Sequence, residues 1–268
     1  MLKLRWFVCV TILLSVVAFA GCEPPPDAGY DYYSLDSSGA VRSCRVYYPS
    51  SLENGNDTYP AVTLSGGFAN SKSAMYWMAE YLAGEAGVIV FTISASNNLL
   101  VSGYEKAHLA GYEMMVAENG NPGSVLHQRI QNYGLMGYSQ GGGGAIDAAK
   151  DLGGAVDAVI SMATYRPESE LRGVTAGCLM MVGADDTIAR ASRYAEPAYE
   201  NLPDSIDKCL LEFDSFGHLK WVFNDEASGN IPKELAGDWI DFIMNGNTGK
   251  KSSFTNPPDI VVLNWNNL

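Results

Sequence analysis

From Arg45 to Met244 the sequence alternates short, largely apolar runs with longer stretches of helical composition. The apolar runs fall at residues 45–48, 61–64, 88–93, 133–138, 158–162, 179–182 and 210–213, and the helical stretches at 73–83, 104–116, 142–150, 191–200 and 233–244. A strand with one wet face alternates apolar and polar residues, whereas continuous runs rich in β-branched residues, Leu and Met suit strands covered on both faces. The pattern therefore predicts an α/β domain with a mostly parallel central sheet flanked by helices. Only residues 163–176 separate the run ending at Met162 from the one beginning near Leu179. That is too little chain for a cap domain or large lid, so a site at the strand ends is expected to be open and shallow. With 268 residues, 47% of them hydrophobic, one large core is enough.

Ahead of this pattern, Lys3 and Arg5 lead into the apolar stretch 6–17, which is followed by Ala18-Phe19-Ala20-Gly21-Cys22. The stretch is shorter than the ~20 apolar residues that span a bilayer, and it ends in small residues, so 1–21 reads as a signal peptide. Ala18-Phe19-Ala20 suits an ordinary signal peptidase, while Ala20-Gly21-Cys22 resembles a bacterial lipoprotein box with Cys22 as the acylated residue. We favour the second route, with Cys22 as the chain's link to a membrane. The expectation is an exported protein, either an outer-membrane or cell-surface lipoprotein or free in the periplasm or medium. Residues 22–38, with Pro24-Pro25-Pro26 and no clear period, read as a tether, and 39–268 as the folded domain.

Lys+Arg 17 against Asp+Glu 30 leaves a formal charge of −13, which excludes the clustered cations that nucleic acid binding needs. Of five cysteines, Cys9 leaves with the signal and Cys22 is used if acylated, so Cys44, Cys178 and Cys209 remain in an oxidising compartment. Cys178 and Cys209 open two apolar runs expected on neighbouring strands, a placement that admits either a bridge or two buried thiols.

Gly137-Tyr138-Ser139-Gln140-Gly141 matches G-x-S-x-G, the sharp strand-to-helix turn that presents a nucleophilic serine at the carboxyl end of an α/β-hydrolase sheet. The pentapeptide alone is weak in a chain with 28 glycines, but here an apolar run precedes it and Gly142-Gly143-Gly144-Ala145 opens a helix after it. Small residues suit a strained turn and a helix start pressed against its neighbours. A phosphate loop would place Lys and Ser or Thr after the last glycine, where Ala145-Ile146 stands instead. Domain 39–268 is accordingly read as an α/β-hydrolase catalytic domain.

A serine hydroxyl needs a base, and imidazole has the appropriate pKa. His108 and His127 both precede Ser139, so among three histidines only His218 satisfies the order nucleophile, acid, histidine. The orienting carboxylate is expected in the loop after the run 179–182, where Asp185 and Asp186 are both candidates. Asp214 lies so near His218 that it more simply ends a strand. An oxyanion hole needs two backbone N–H donors, and Gln140 and Phe68 occupy the places for them. No H-E-x-x-H or paired C-x-x-C is present, and the chemistry demands no metal or organic cofactor.

At Gly66-Gly67-Phe68, Met75-Tyr76-Trp77, Val88-Ile89-Val90-Phe91-Thr92-Ile93, the elbow with its four glycines, and Asp186-Thr187-Ile188-Ala189, the sequence resembles the bacterial cutinases and polyester hydrolases. These are lidless lipases in the dienelactone-hydrolase branch of the fold. The resemblance selects Asp186 over Asp185. It also implies an aromatic clamp at Phe68, an aromatic wall at Tyr165, an apolar wall at Ile188 and substrate contact by Gln140. The sequence departs from that family in having Gln140 where Met is frequent and Tyr165 where Trp is frequent. No cysteine follows Cys209 to form the family's C-terminal disulfide. The expected activity is that of a monomeric serine esterase on uncharged esters, from short acyl esters to polyesters such as PET. A triacylglycerol lipase, an acetyl-carbohydrate esterase and a non-catalytic surface binding protein are the competing expectations.

Overall fold

The structure, a computed structural model, describes residues 28–222, 231–255, 257 and 260–267. Cys9, the expected signal peptide and Cys22 lie outside the described residues. Among the described residues nine strands form one sheet: β1 (Tyr30–Leu35), β2 (Val41–Pro49), β3 (Tyr59–Ser65), β4 (Ile89–Ala95), β5 (Ile130–Tyr138), β6 (Ala158–Met162), β7 (Gly177–Gly183), β8 (Lys208–Phe213) and β9 (Ile260–Asn266). Their order is β1-β2-β4-β3-β5-β6-β7-β8-β9. Strands β4, β3, β5, β6, β7 and β8 run parallel, with β2 antiparallel to β4 and β9 antiparallel to β8.

Helices cover both faces. On one face α1 (Tyr76–Gly84), α5 (Ile231–Met244) and α6 (Ser252–Thr255) pack Met78, Leu82, Leu235, Trp239 and Phe254 against Leu64, Ile160 and Leu179. On the other, α2 (Val101–Gly120), α3 (Gln140–Leu152) and α4 (Ala195–Asn201) cover Ile93, Leu135, Val159 and Met180. Double coverage is why the central strands are apolar along their whole length, and the predicted α/β-hydrolase architecture is the one observed. The connection from β6 to β7 contains no helix, so among the described residues no cap covers the carboxyl ends of the strands.

The sheet begins earlier than the sequence suggested. Residues 30–35, assigned above to a tether spanning 22–38, form edge strand β1, antiparallel to β2 with Tyr30 opposite Pro49 and Leu35 opposite Cys44. Tyr30 and Tyr32 pack on Tyr47 with ring centroids 5.7 and 5.5 Å away, while Tyr33 turns to Tyr48 and donates to Glu118 Oε2 at 2.6 Å. Asp31 and Ser34 break the apolar signal, yet the aromatic side chains still alternate between faces as a half-buried strand requires. The expected helix 191–200 is also divided. A 3-10 turn at Ala191–Arg193 precedes α4, because Pro197 has no N–H to extend α-helical bonding back to it.

Cys178 and Cys209 do lie on neighbouring strands, but the register sets Cys209 opposite Leu179 and Cys178 opposite Lys208. A one-residue offset sends their side chains to opposite faces. Cys178 packs with Val159 and Met180, and Cys209 with Leu211 and Phe254. Cys44, Cys178 and Cys209 are all free, buried thiols, each pushed up to about 12 by burial.

Candidate active site

Strand β5 ends at Tyr138 and α3 begins at Gln140, leaving Ser139 alone to turn the chain. Its φ of 55° is positive, a conformation that a side chain tolerates only when the surroundings impose it. Ser139 N–H donates to Met162 O at 2.8 Å. Its carbonyl accepts from Gly143 N at 3.0 Å and from Tyr165 N at 3.2 Å. The turn also needs backbone in contact with backbone: a Cβ at Gly141 would stand 2.2 Å from Gly66 O and from Ser65 Oγ. The glycine run therefore lets α3 start directly against the loop after β3.

The other polar groups arrive from the ends of β7 and β8, two and three strands away in the sheet. His218 follows the tight loop 214–217 after β8, and its Nε2 lies 3.0 Å from Ser139 Oγ. Its Nδ1 lies 2.7 Å from Asp186 Oδ2. Asp186 Oδ1 accepts from Ile188 N at 2.9 Å and Ala189 N at 2.7 Å, so both carboxylate oxygens are engaged. Burial pushes this carboxyl up, but the His218 contact and the two backbone donors outweigh it and hold the group below the ordinary Asp value. Asp185 and Asp214 face solvent. Ser139, His218 and Asp186 thus form one hydrogen-bonded chain from an exposed cleft into a buried carboxylate.

The cleft, of about 410 Å³, is lined by Phe68, Asn70, Tyr138, Ser139, Gln140, Tyr165, Ile188, His218, Leu219 and Val222. Phe68, Ile188 and Leu219 are 60%, 54% and 57% exposed, an unusual cost for large apolar side chains unless they meet an apolar ligand. The carbonyl of Ser139, held from behind by two donors, directs the Gln140 N–H of the same trans peptide the other way. On the facing loop, a Cβ at Gly67 would come 2.7 Å from Ser139 Cβ, so the Gly67–Phe68 backbone lies directly against the serine. Another cleft of similar size, lined by Asp157, Gly177, Ile206 and Asp207, opens at the amino ends of the strands, away from Ser139.

All the residues singled out from the sequence as candidates for this site, namely Ser139, Asp186, His218, Phe68, Gln140, Tyr165 and Ile188, line the cleft or bond to it. The sequence reading missed Asn70, Leu219 and Val222, and also the task of Tyr138, whose hydroxyl donates to His218 O at 2.9 Å. Its position inside the G-x-S-x-G motif was the available signal. His108 and His127, set aside by chain order, lie outside the cleft lining; His108 is buried in α2.

A family model described as PET hydrolase-like matches residues 31–264. A bis(hydroxyethyl) terephthalate hydrolase of Streptomyces coelicolor is 31% identical over 207 residues, covering 76% of this chain and 62% of that protein. Cutinase 1 of Thermobifida cellulosilytica is 31% identical over 200 residues, covering 72% of this chain and 69% of its own length. A cutinase of Thermobifida fusca is likewise 31% identical over 200 residues, covering 72% of this chain and 60% of its own length. The chain therefore spans between 60% and 69% of these three relatives. The resemblance seen at the elbow and the D-T-I-A segment extends along the sheet from β1 to β9, and the chain belongs to the PET hydrolase-like family.

Proposed function

We propose that the chain is a serine carboxylic-ester hydrolase that works through an acyl-enzyme on uncharged esters, including polyesters such as PET. The observation that carries this reading is the continuous Ser139–His218–Asp186 chain at the mouth of an apolar cleft. In the proposed mechanism His218 takes the Ser139 proton as Oγ attacks the ester carbonyl, and Asp186 stabilises the imidazolium. The carbonyl oxygen, now an oxyanion, accepts from the N–H groups of Phe68 and Gln140. His218 then protonates the departing alcohol, activates a water against the acyl-enzyme, and returns the proton to Ser139 as the acid leaves.

The substrate class follows from the walls. Phe68, Tyr165, Ile188 and Leu219 offer apolar and aromatic contact, with no lid among the described residues, which suits a long or bulky chain entering from the side. The net charge of −13 disfavours anionic substrates. The activities for which the relatives are named, a bis(hydroxyethyl) terephthalate hydrolase and cutinases, point to the same class. Export through the signal at 1–21, with Cys22 as lipid anchor, fits a substrate too large to enter a cell.

The test is covalent labelling followed by turnover. A fluorophosphonate probe is expected to label the wild-type protein and not Ser139→Ala, and the wild type to hydrolyse a series of p-nitrophenyl esters and release soluble product from polyester film. Wild-type protein that stays unlabelled and inert would instead be a binding protein on this fold. Turnover of acetylated sugars but not film would keep the chemistry and reverse the substrate.

A further inference from the structure

Two polar side chains of the interior have no part in the mechanism above. Tyr104 and His108 are 1% and 0% exposed and stand four residues apart on α2, so they leave one face of the helix. That face meets the loop after β3 and the first turn of α3. The approach is close: a Cβ at Gly144 of α3 would lie 2.7 Å from Tyr104 Cβ and 2.6 Å from Glu105 N.

The Tyr104 hydroxyl donates to the Gly67 carbonyl oxygen, which also accepts from Asn70 N at 2.9 Å. That carbonyl belongs to the same peptide unit as the Phe68 N–H. In a trans peptide the two bonds point in opposite directions, so a carbonyl fixed from within the protein aims the N–H toward the serine side. The anchor is needed because Gly67, required for close approach to Ser139, also leaves this peptide plane free to rotate.

His108 braces the same loop at its root. Its Nδ1 lies 2.7 Å from Thr63 Oγ1, and its Nε2 lies 2.9 Å from Ser65 Oγ and 3.2 Å from Gly141 O. A carbonyl oxygen only accepts, so Nε2 carries the proton and the Thr63 hydroxyl donates to Nδ1. Burial holds the ring's pKa down to about 4 and keeps it neutral. One uncharged ring therefore ties the end of β3 to the residue after Gln140.

We propose that Tyr104 is a positioning residue for the oxyanion hole, fixing the Gly67–Phe68 peptide so that the Phe68 N–H is preset toward the developing oxyanion. The inference rests on the esterase reading. Tyr104→Phe removes one hydroxyl and keeps the ring, and Asn70 N still holds the carbonyl. Turnover is expected to fall about tenfold, less than the 10²–10³ lost when a donor itself is removed. KM for a p-nitrophenyl ester should be unchanged. A trifluoromethyl ketone adds Ser139 Oγ to its carbonyl, passes the hydroxyl proton to His218 and leaves an oxyanion. It should bind the variant about tenfold more weakly, while the product acid, which develops no such charge, binds equally. A purely structural role would lower thermal stability without separating these two ligands. An active wild type with an unaffected variant, or a variant changed only in KM, overturns this inference alone. Wild-type protein that neither labels nor turns over overturns the esterase reading and this inference with it.

Discussion

Asp186 illustrates what a single residue needs before it can serve a histidine. Asp185 and Asp186 are chemically identical and adjacent, and charge and spacing alone left both open. The fold separates them because Asp186 Oδ1 collects Ile188 N and Ala189 N, which frees Oδ2 to face His218 Nδ1, while Asp185 faces solvent. We therefore expect Asp186→Asn to keep the geometry but favour the wrong imidazole tautomer, lowering kcat by about 10⁴ in steady-state ester hydrolysis. Asp185→Asn should leave kcat within a few-fold. Ser139 and His218 were legible because motif and chain order each leave one choice. Asn70, Leu219 and Val222 were not, because loop residues reach the cleft only through the tertiary path of the loops.

Among the elements, the central strands could be read directly from unbroken apolar runs, and 158–162 coincides with β6 from end to end. The edges could not. β1 and β9 each have a neighbour on one side only, so the Asp, Ser and Asn residues they tolerate hide them among loops. Helix α3 carries a further element-level consequence. Asp147 accepts from Glu168 N at 2.8 Å and so anchors the segment that follows Tyr165, yet burial pushes its pKa up to about 7. Its folded pKa is thus above its ordinary value of 3.8, so the folded state binds the proton more tightly. Its contribution to stability is present at acid pH and lost as pH rises from about 4 through about 7. Asp147→Asn keeps the acceptor and removes the ionisation. Calorimetry should find it stabilised relative to wild type by on the order of a few kcal/mol at most, with more gain at pH 8 than at pH 5. A gain independent of pH would contradict this account.

For the molecule as a whole, the boundary of the folded unit is a prediction of its own. Since β1 completes the sheet and its Tyr32 encloses Arg45 together with Tyr76 of α1, the guanidinium lying 4.4 and 4.6 Å from the two rings, a chain started at Ala28 should match the longer protein in thermal unfolding. A chain started at Gly39 should lose about 3 kcal/mol, roughly 10 °C in Tm, from the exposed face of β2. Equal Tm values would restore residues 30–38 to the tether. The placement of Cys178 and Cys209 on opposite sides of the sheet has a different reach. Among the described residues no covalent staple holds the domain, so its native state is a matter of packing alone. Nothing in its assembly waits for an oxidant, and a reducing cytosol and an oxidising exterior should yield the same folded domain.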